Sequence, residues 1–161
     1  MAEDDCRALT AAERSLARSV FGDAVDYEPV RIFRRKWFPF QPRNVAMAPC
    51  GHIHFHPGGA LWSADFGNEP LGRQGLFIHE MTHVWQAQTR GRFYLPFMRH
   101  PFCRYGYTLK PDWPLERYGL EQQAEIVRHA FLLEHGAKVP GELASDRLAG
   151  LLPFGAGNHP V

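Results

Sequence analysis

Apolar residues recur at intervals of three and four along four stretches of the chain, which is the spacing of an amphipathic helix. We therefore predict helices over residues 11–21, 70–89, 114–134 and 142–152. Thr10 and Glu13 have the spacing of a capping box at the start of the first helix. Pro70 and Gly91 flank the second helix, in the positions where proline and glycine favour a helix start and a helix stop.

Between the first two helices, apolar and polar residues alternate over shorter stretches. This alternation predicts strands over 29–37, 44–48 and 52–56, with the last two forming a β-hairpin around the turn-forming residues at 49–51. Residues 92–113 show no clear periodicity but are rich in aromatic, basic and proline residues. Such a long aromatic connection favours an ordered covering loop, and we regard its residues 93–107 as a candidate lid.

Composition restricts the class of protein. With 161 residues, of which 45% are hydrophobic, the chain can form one domain with a core, so we predict a single domain over 1–161. A net charge of +1 argues against nucleic acid or anionic lipid as the main partner. No apolar run approaches the roughly 18 residues of a membrane helix. The N-terminus lacks a hydrophobic signal region, and the three cysteines are widely spaced. We therefore expect a cytoplasmic protein, with signal-independent export remaining open.

The candidate chemistry lies in the middle of the second predicted helix, which reads His79-Glu80-Met81-Thr82-His83. Residues four apart on a helix are separated by about 40° around the axis and about 6 Å along it, so both imidazoles leave the same face. Two such nitrogens can bind one Zn²⁺. Glu80 lies beside that face and can take a proton from a water at the metal. The motif therefore predicts a catalytic zinc site with Glu80 as the base.

A catalytic zinc needs a third protein ligand and one open position. The helix predicted over 114–134 carries Glu121 and Glu125, whose like charges repel at this spacing on a plain helix. Glu121 could bind the metal while Glu125 orients a ligand histidine, or the roles could be reversed, and we favour the first assignment. Alternate strand residues share a face, so His52, His54 and His56 form a rival metal site or else line the cleft.

Residues 76–86, which read LFIHEMTHVWQ, resemble the active-site helix of zincin metallopeptidases. They are most similar to small bacterial metallopeptidase-like domains found near contractile injection systems, in which HExxH is followed by Val-x-Gln. The upstream residues 51–58 are similar to the strand and glycine turn of those domains. Over most of the chain, the stretches RKWFPF, HPFCRY and EQQAE resemble small proteobacterial proteins called vgr-related. That name refers to a secretion-system spike protein, and no pattern in this chain predicts a spike.

The resemblance implies an α+β, minimal zincin-like fold, with a small, partly antiparallel sheet packed against the HExxH helix and a second ligand-bearing helix. By the pattern of zincins whose third ligand is an acid, Glu121 is implied as the ligand and Glu125 as its supporting residue. A peptide substrate is implied along the edge strand, in contact with Ile53, His54 and His56. The candidates for an additional donor to the oxyanion are His100, Arg104, Tyr105, Tyr107, Tyr118 and Arg128.

These observations favour a zinc-dependent endopeptidase that hydrolyses a peptide bond with water activated by Glu80. The alternative is a zinc-containing but catalytically silent zincin-fold protein that acts as a binding or assembly factor of a secretion or contractile injection system. The substitution Glu80→Gln separates the two, since a binding role should survive it. Basic residues interleaved with aromatics over 31–43 would suit single-stranded nucleic acid, but the net charge favours an ordinary solvated edge. We expect no nucleic-acid partner.

Overall fold

A computed structural model describes residues 5–98, 105–141 and 145–154. The architecture is α+β, as the sequence predicts. Its strands are β1 (Cys6–Ala8), β2 (Arg31–Phe33) and β3 (Ile53–His54), and its helices are α1 (Ala11–Phe21), α2 (Leu71–Arg90), α3 (Tyr94–Met98), α4 (Leu120–Glu134) and α5 (Ser145–Ala149). Within these ranges no helix is long and apolar enough to cross a membrane.

The sheet is small and mixed, in the order β1-β2-β3. β1 pairs with β2 in the antiparallel direction, with Arg7 opposite Ile32, whereas β2 pairs with β3 in parallel, with Ile32 opposite Ile53. The predicted hairpin is reduced to one antiparallel bridge, in which Met47 and His54 exchange backbone hydrogen bonds of 3.0 and 2.7 Å. The prediction missed β1 because three residues are too short to show an alternation.

Glu13 fixes α1 to the sheet. It closes the predicted capping box, since its backbone N–H donates to the Thr10 side chain while its carboxylate accepts from the Thr10 N–H. The same fully buried carboxylate accepts two hydrogen bonds of 2.8 Å from Arg7 on β1 and one of 2.9 Å from the backbone N–H of Phe66. The cap therefore joins β1, α1 and the loop that precedes α2.

α2 is the central helix of the core and begins and ends within one residue of its prediction. Every residue from Phe77 to Ala87 is buried, so this part of the helix is enclosed on all sides by α4, α1, the sheet and the loops. A helix that is covered all round can place polar side chains in the interior only when they find partners. The histidines and the glutamate of the motif lie in this enclosed segment.

The helix predicted over 114–134 is interrupted near its start. A single 3₁₀ turn spans Leu115–Arg117, Tyr118 and Gly119 are extended, and α4 begins at Leu120. Gln122 stabilises this start, because its side-chain oxygen accepts from the Gly119 N–H at 3.0 Å. Of the last predicted helix, α5 covers 145–149, and residues 142–144 lie outside the described ranges. The candidate lid contains α3, and its residues 99–104 also lie outside them.

Candidate metal centre

Three buried side chains from two helices converge at the centre of the fold. Nε2 of His79 and Nε2 of His83, both on α2, lie 3.2 and 3.1 Å from the same oxygen, Oε2 of Glu121 on α4. These ligand atoms all lie within 4.8 Å of one another, and the three residues are at most 5% exposed. Histidine nitrogens with one carboxylate oxygen are a donor set that suits zinc. The group could therefore hold a metal ion.

His79 is oriented by a second carboxylate. Its Nδ1 donates to Oε1 of Glu125 at 2.7 Å, while its Nε2 faces Glu121. Burial lowers the pKa of His79, but the hydrogen bonds to Glu121 and Glu125 outweigh that effect and raise the pKa to about 9. Without a metal the imidazole therefore carries a proton on each nitrogen at neutral pH. A metal ion at Nε2 would replace the second proton.

His83 is oriented by an amide instead of a carboxylate. Its Nδ1 donates to Oε1 of Gln86 at 2.8 Å. The direction follows from the other end of the amide, where Nε2 of Gln86 donates to the Leu120 carbonyl at 3.1 Å and to Oε1 of Gln123 at 3.0 Å. Gln123 in turn donates to the Tyr118 carbonyl at 2.8 Å. This buried amide chain fixes the His83 ring in the orientation that directs Nε2 at Glu121.

Glu80 and the triad border an open cleft of about 280 Å³. Its lining includes residues 44–46, which we call its wall, and residues of α2 and α4. Glu80 is 4% exposed and lines this cleft together with His79, His83 and Glu121. Tyr105 and Arg128 also line the cleft. The Tyr105 ring stacks on the His79 ring, with the ring centroids 6.2 Å apart. The cleft thus opens the three candidate ligand residues and Glu80 to solution.

The structure does not bring the side chains of Ile53, His54 and His56 to the lining of this cleft. Ile53 is fully buried, and the His54 ring stacks on Phe33 at 4.7 Å. Nδ1 of His56 accepts from the Gly58 N–H at 2.9 Å and so closes a turn. The wall of the cleft is instead formed by 44–46, which β3 holds through the Met47–His54 bridge. Within the described ranges the strand histidines form no second metal-ligating group.

The candidate oxyanion donors separate into three groups. Tyr105 and Arg128 line the cleft. Tyr107 and Tyr118 are not among the lining residues. The Tyr118 hydroxyl accepts from the Lys110 N–H at 3.0 Å, and the Tyr107 hydroxyl lies 2.7 Å from Nδ1 of His129. The other two candidates, His100 and Arg104, lie outside the described residues.

Sequence reasoning did not assign contacts to Gln86 and Gln123, which bond behind His83, or to His129, which lies 3.4 Å from Glu125. Gln86 had a visible signal, since it falls three residues after His83 on the same helix. His129 also had one, because it continues the spacing of four that relates Glu121 to Glu125. Gln123 had none, because its role depends on how α4 packs against α2.

The fold and the triad together define the class: an α+β domain with a zincin-like site, in which one helix supplies two histidines and a second supplies a carboxylate. The chain belongs to the family of the effector domain of Pseudomonas aeruginosa VgrG2b. It is 40% identical to the solved structure of that domain, with a TM-score of 0.74 over 90% of this chain and 83% of the domain. No family model matches the chain.

The full-length relative is the type VI secretion system spike protein VgrG2b of P. aeruginosa. This chain is 44% identical to it over 155 residues, which are 91% of the chain but 15% of the spike protein. The expected resemblance to vgr-related proteins is therefore confirmed. The match to the effector domain also explains why no pattern in the chain predicts a spike.

Proposed function

We propose that this chain is a zinc-dependent peptidase that acts as a type VI secretion effector domain. The observation that carries the proposal is the convergence of His79, His83 and Glu121 next to Glu80 at the base of an open cleft. The relationship to the effector domain of a secretion-system spike protein supports the context. In this proposal the expected cytoplasmic location gives way to delivery by a secretion system.

The donor geometry fits zinc. Two ligand atoms, each about 2.0–2.1 Å from a tetrahedral zinc, are about 3.3 Å apart. The separations from Glu121 Oε2 to the two histidine nitrogens, 3.2 and 3.1 Å, are close to this value. Each histidine also has an acceptor on Nδ1, which favours metal binding through Nε2. His79, His83 and Glu121 would therefore hold the ion, and Glu125 would support His79.

When bound, zinc would supply a Lewis acid that polarises the scissile carbonyl and acidifies water. Glu80 would accept the proton of the attacking water and deliver it to the leaving amine. Its burial favours this role, since a carboxylate in a site of low dielectric exchanges a proton with its neighbour instead of with bulk solvent. Tyr105 and Arg128 line the cleft and could donate to the developing oxyanion.

The substrate would be an extended peptide or protein segment lying along the 44–46 wall of the cleft. At this wall Asn44 is exposed and Val45 is half-buried, so these two residues would contact the segment. In this arrangement Ile53, His54 and His56 would not contact the substrate directly. Instead, β3 would hold the wall in place through the backbone hydrogen bonds between His54 and Met47.

Metal content and peptide hydrolysis test the proposal in that order. Purified wild-type protein should contain one zinc per chain, and His79→Ala and His83→Ala should lose it. His135→Ala is the control, because His135 is an exposed histidine at the end of α4 that bonds to the Phe131 carbonyl and is not part of the triad. A folded wild-type protein that takes up no added zinc would contradict the proposal.

Glu80→Gln then separates a peptidase from a silent binding factor. We expect it to keep the zinc but to abolish cleavage of a peptide library, because the amide cannot take a proton from water. Glu134→Gln, an exposed change at the end of α4, is the control for loss of one carboxylate. Equal cleavage by wild type and Glu80→Gln would contradict the assigned role of Glu80. Zinc-loaded wild type without cleavage of any peptide would favour the binding factor.

A further inference from the structure

One face of α4 carries three polar residues at a constant spacing of four: Glu121, Glu125 and His129. Residues at this spacing lie along one side of a helix, each about 6 Å beyond the last. Glu121 lies at the proposed metal position, and Glu125 contacts the back of His79. His129 continues the row away from the cleft, towards the extended segment that contains Tyr107.

The contacts along this row form a continuous chain that ends at a tyrosine. Nδ1 of His79 lies 2.7 Å from Oε1 of Glu125, and Oε2 of Glu125 lies 3.4 Å from Nε2 of His129. Nδ1 of His129 then lies 2.7 Å from the Tyr107 hydroxyl. The side chains of Glu125 and His129 are only 15% and 14% exposed. Arg128, which is 33% exposed, contacts the other Glu125 oxygen at 3.4 Å, so His129 is the less exposed of these two partners.

Proton positions along the chain are mutually consistent. The Glu125 oxygens are acceptors, so Nδ1 of His79 donates to Oε1 at 2.7 Å and the Nε2–H of His129 faces Oε2 at 3.4 Å. Burial lowers the pKa of His129, and it raises the pKa of Tyr107. A neutral His129 therefore accepts at Nδ1 from the protonated Tyr107 hydroxyl.

We propose that His129 and Tyr107 are positioning residues of the metal centre, which hold the Glu125 carboxylate in the orientation that fixes His79. Without them Glu125 could rotate towards Arg128 and solvent, and the His79 ring would lose its fixed direction towards Glu121. The inference rests on the proposed zinc site. It adds His129 and Tyr107 to the contacts of Glu125, which is the direct partner of the ligand His79. Tyr107 belongs to the same segment as Tyr105, whose ring stacks on His79.

The competing explanation is purely structural. The Tyr107 and His129 rings also pack together, with centroids 5.6 Å apart, and this contact could serve only to fix the extended segment to α4. The two explanations differ in one respect. A positioning role acts on zinc affinity through Glu125, whereas a packing role lowers stability whatever residue stands at 125.

The test measures the dissociation constant for Zn²⁺ by competition with a chromophoric chelator, with thermal unfolding recorded for each variant. Loss of a group that orients a metal ligand costs about 10–100-fold in metal affinity, so we expect His129→Leu to weaken zinc binding about tenfold. Tyr107→Phe, which removes one hydroxyl and keeps the ring, should weaken it by a smaller factor. His129→Gln should restore most of the affinity, because its amide can donate to Glu125 and accept from Tyr107. Tyr27→Phe, which removes a buried hydroxyl bonded to the Gly22 carbonyl, is the control.

A double-mutant cycle then identifies the route. In a Glu125→Gln background, His129→Leu should cause little further loss of zinc affinity if it acts through the carboxylate. An unchanged zinc affinity in His129→Leu and Tyr107→Phe, or the same loss in both backgrounds, would overturn the inference. If His129→Leu does not fold, Tyr107→Phe replaces it in the double-mutant cycle with Glu125→Gln. Failure of the wild type to bind zinc would instead contradict the proposed function itself.

Discussion

His79 and Glu125 are joined by a hydrogen bond of 2.7 Å from Nδ1 to Oε1, on the side of the imidazole opposite Glu121. This relationship gives the two glutamates of α4 different places at the site. Glu121 faces both histidines of α2 with a single oxygen, whereas Glu125 contacts only His79 of these two, at Nδ1. The geometry agrees with Glu121 as the metal ligand and Glu125 as its supporter, which is the assignment that we favour from the sequence.

Truncation of Glu121 and truncation of Glu125 should therefore have different effects on zinc binding. Glu121→Ala removes a ligand, so we expect zinc to be lost on dialysis. Glu125→Ala leaves three ligands and should retain one zinc per chain, with affinity reduced about 10–100-fold. Metal content after dialysis, followed by chelator competition, measures both effects. Retention of zinc by Glu121→Ala together with its loss from Glu125→Ala would reverse the assignment.

Gln86 should orient the His83 ring through its Nδ1 hydrogen bond, as Glu125 orients the His79 ring. In Gln86→Leu the Nδ1–H of His83 is left buried without its acceptor, and the ring can rotate away from Glu121. We expect zinc affinity to fall about tenfold, near the lower end of the losses seen when a hydrogen-bond partner of a metal ligand is removed. Gln88→Leu is the matched control, because Gln88 lies on the same helix but contacts the backbone of Asp26 at the surface. Equal zinc affinities in the two variants would contradict the role of Gln86.

The sequence predicts the parts of the site that follow one helix, because helical spacing alone places His79, Glu80 and His83. It also predicts α1 through the capping box and α2 through its apolar residues. It does not predict β1, which consists of three residues, or the break before α4, where extended backbone at Tyr118 and Gly119 competes with continued helix. Nor does it predict that the cleft wall is 44–46, because that depends on the Met47–His54 bridge between distant backbone groups.

Glu13 should be a main determinant of stability although it lies away from the site. In Glu13→Ala the Arg7 guanidinium loses its two 2.8 Å bonds to the carboxylate, and two backbone N–H groups lose their acceptor. Breaking a buried ion pair by removing one partner costs about 3–5 kcal/mol, so we expect a free energy of unfolding lower by that amount in urea denaturation. Glu28→Ala, which breaks an exposed pair with Arg14, is the control and should have little effect. A similar loss in both variants would show that burial of the Glu13 network contributes nothing.

His54 should make the fold sensitive to mild acid. Burial is the largest of the effects that lower the pKa of His54, to about 4 from an ordinary value of 6.5. Between these pH values the unfolded chain binds a proton that the folded chain does not, so stability falls as the pH drops from about 6.5 towards 4. For a pKa shift of this size, the free energy of unfolding is lower by about 2–3 kcal/mol near pH 4. His54→Phe keeps a ring to stack on Phe33 but cannot titrate. Urea denaturation at pH 7.5 and pH 4.5 should therefore show a smaller acid-induced loss in the variant than in the wild type, and equal losses would contradict the role of His54.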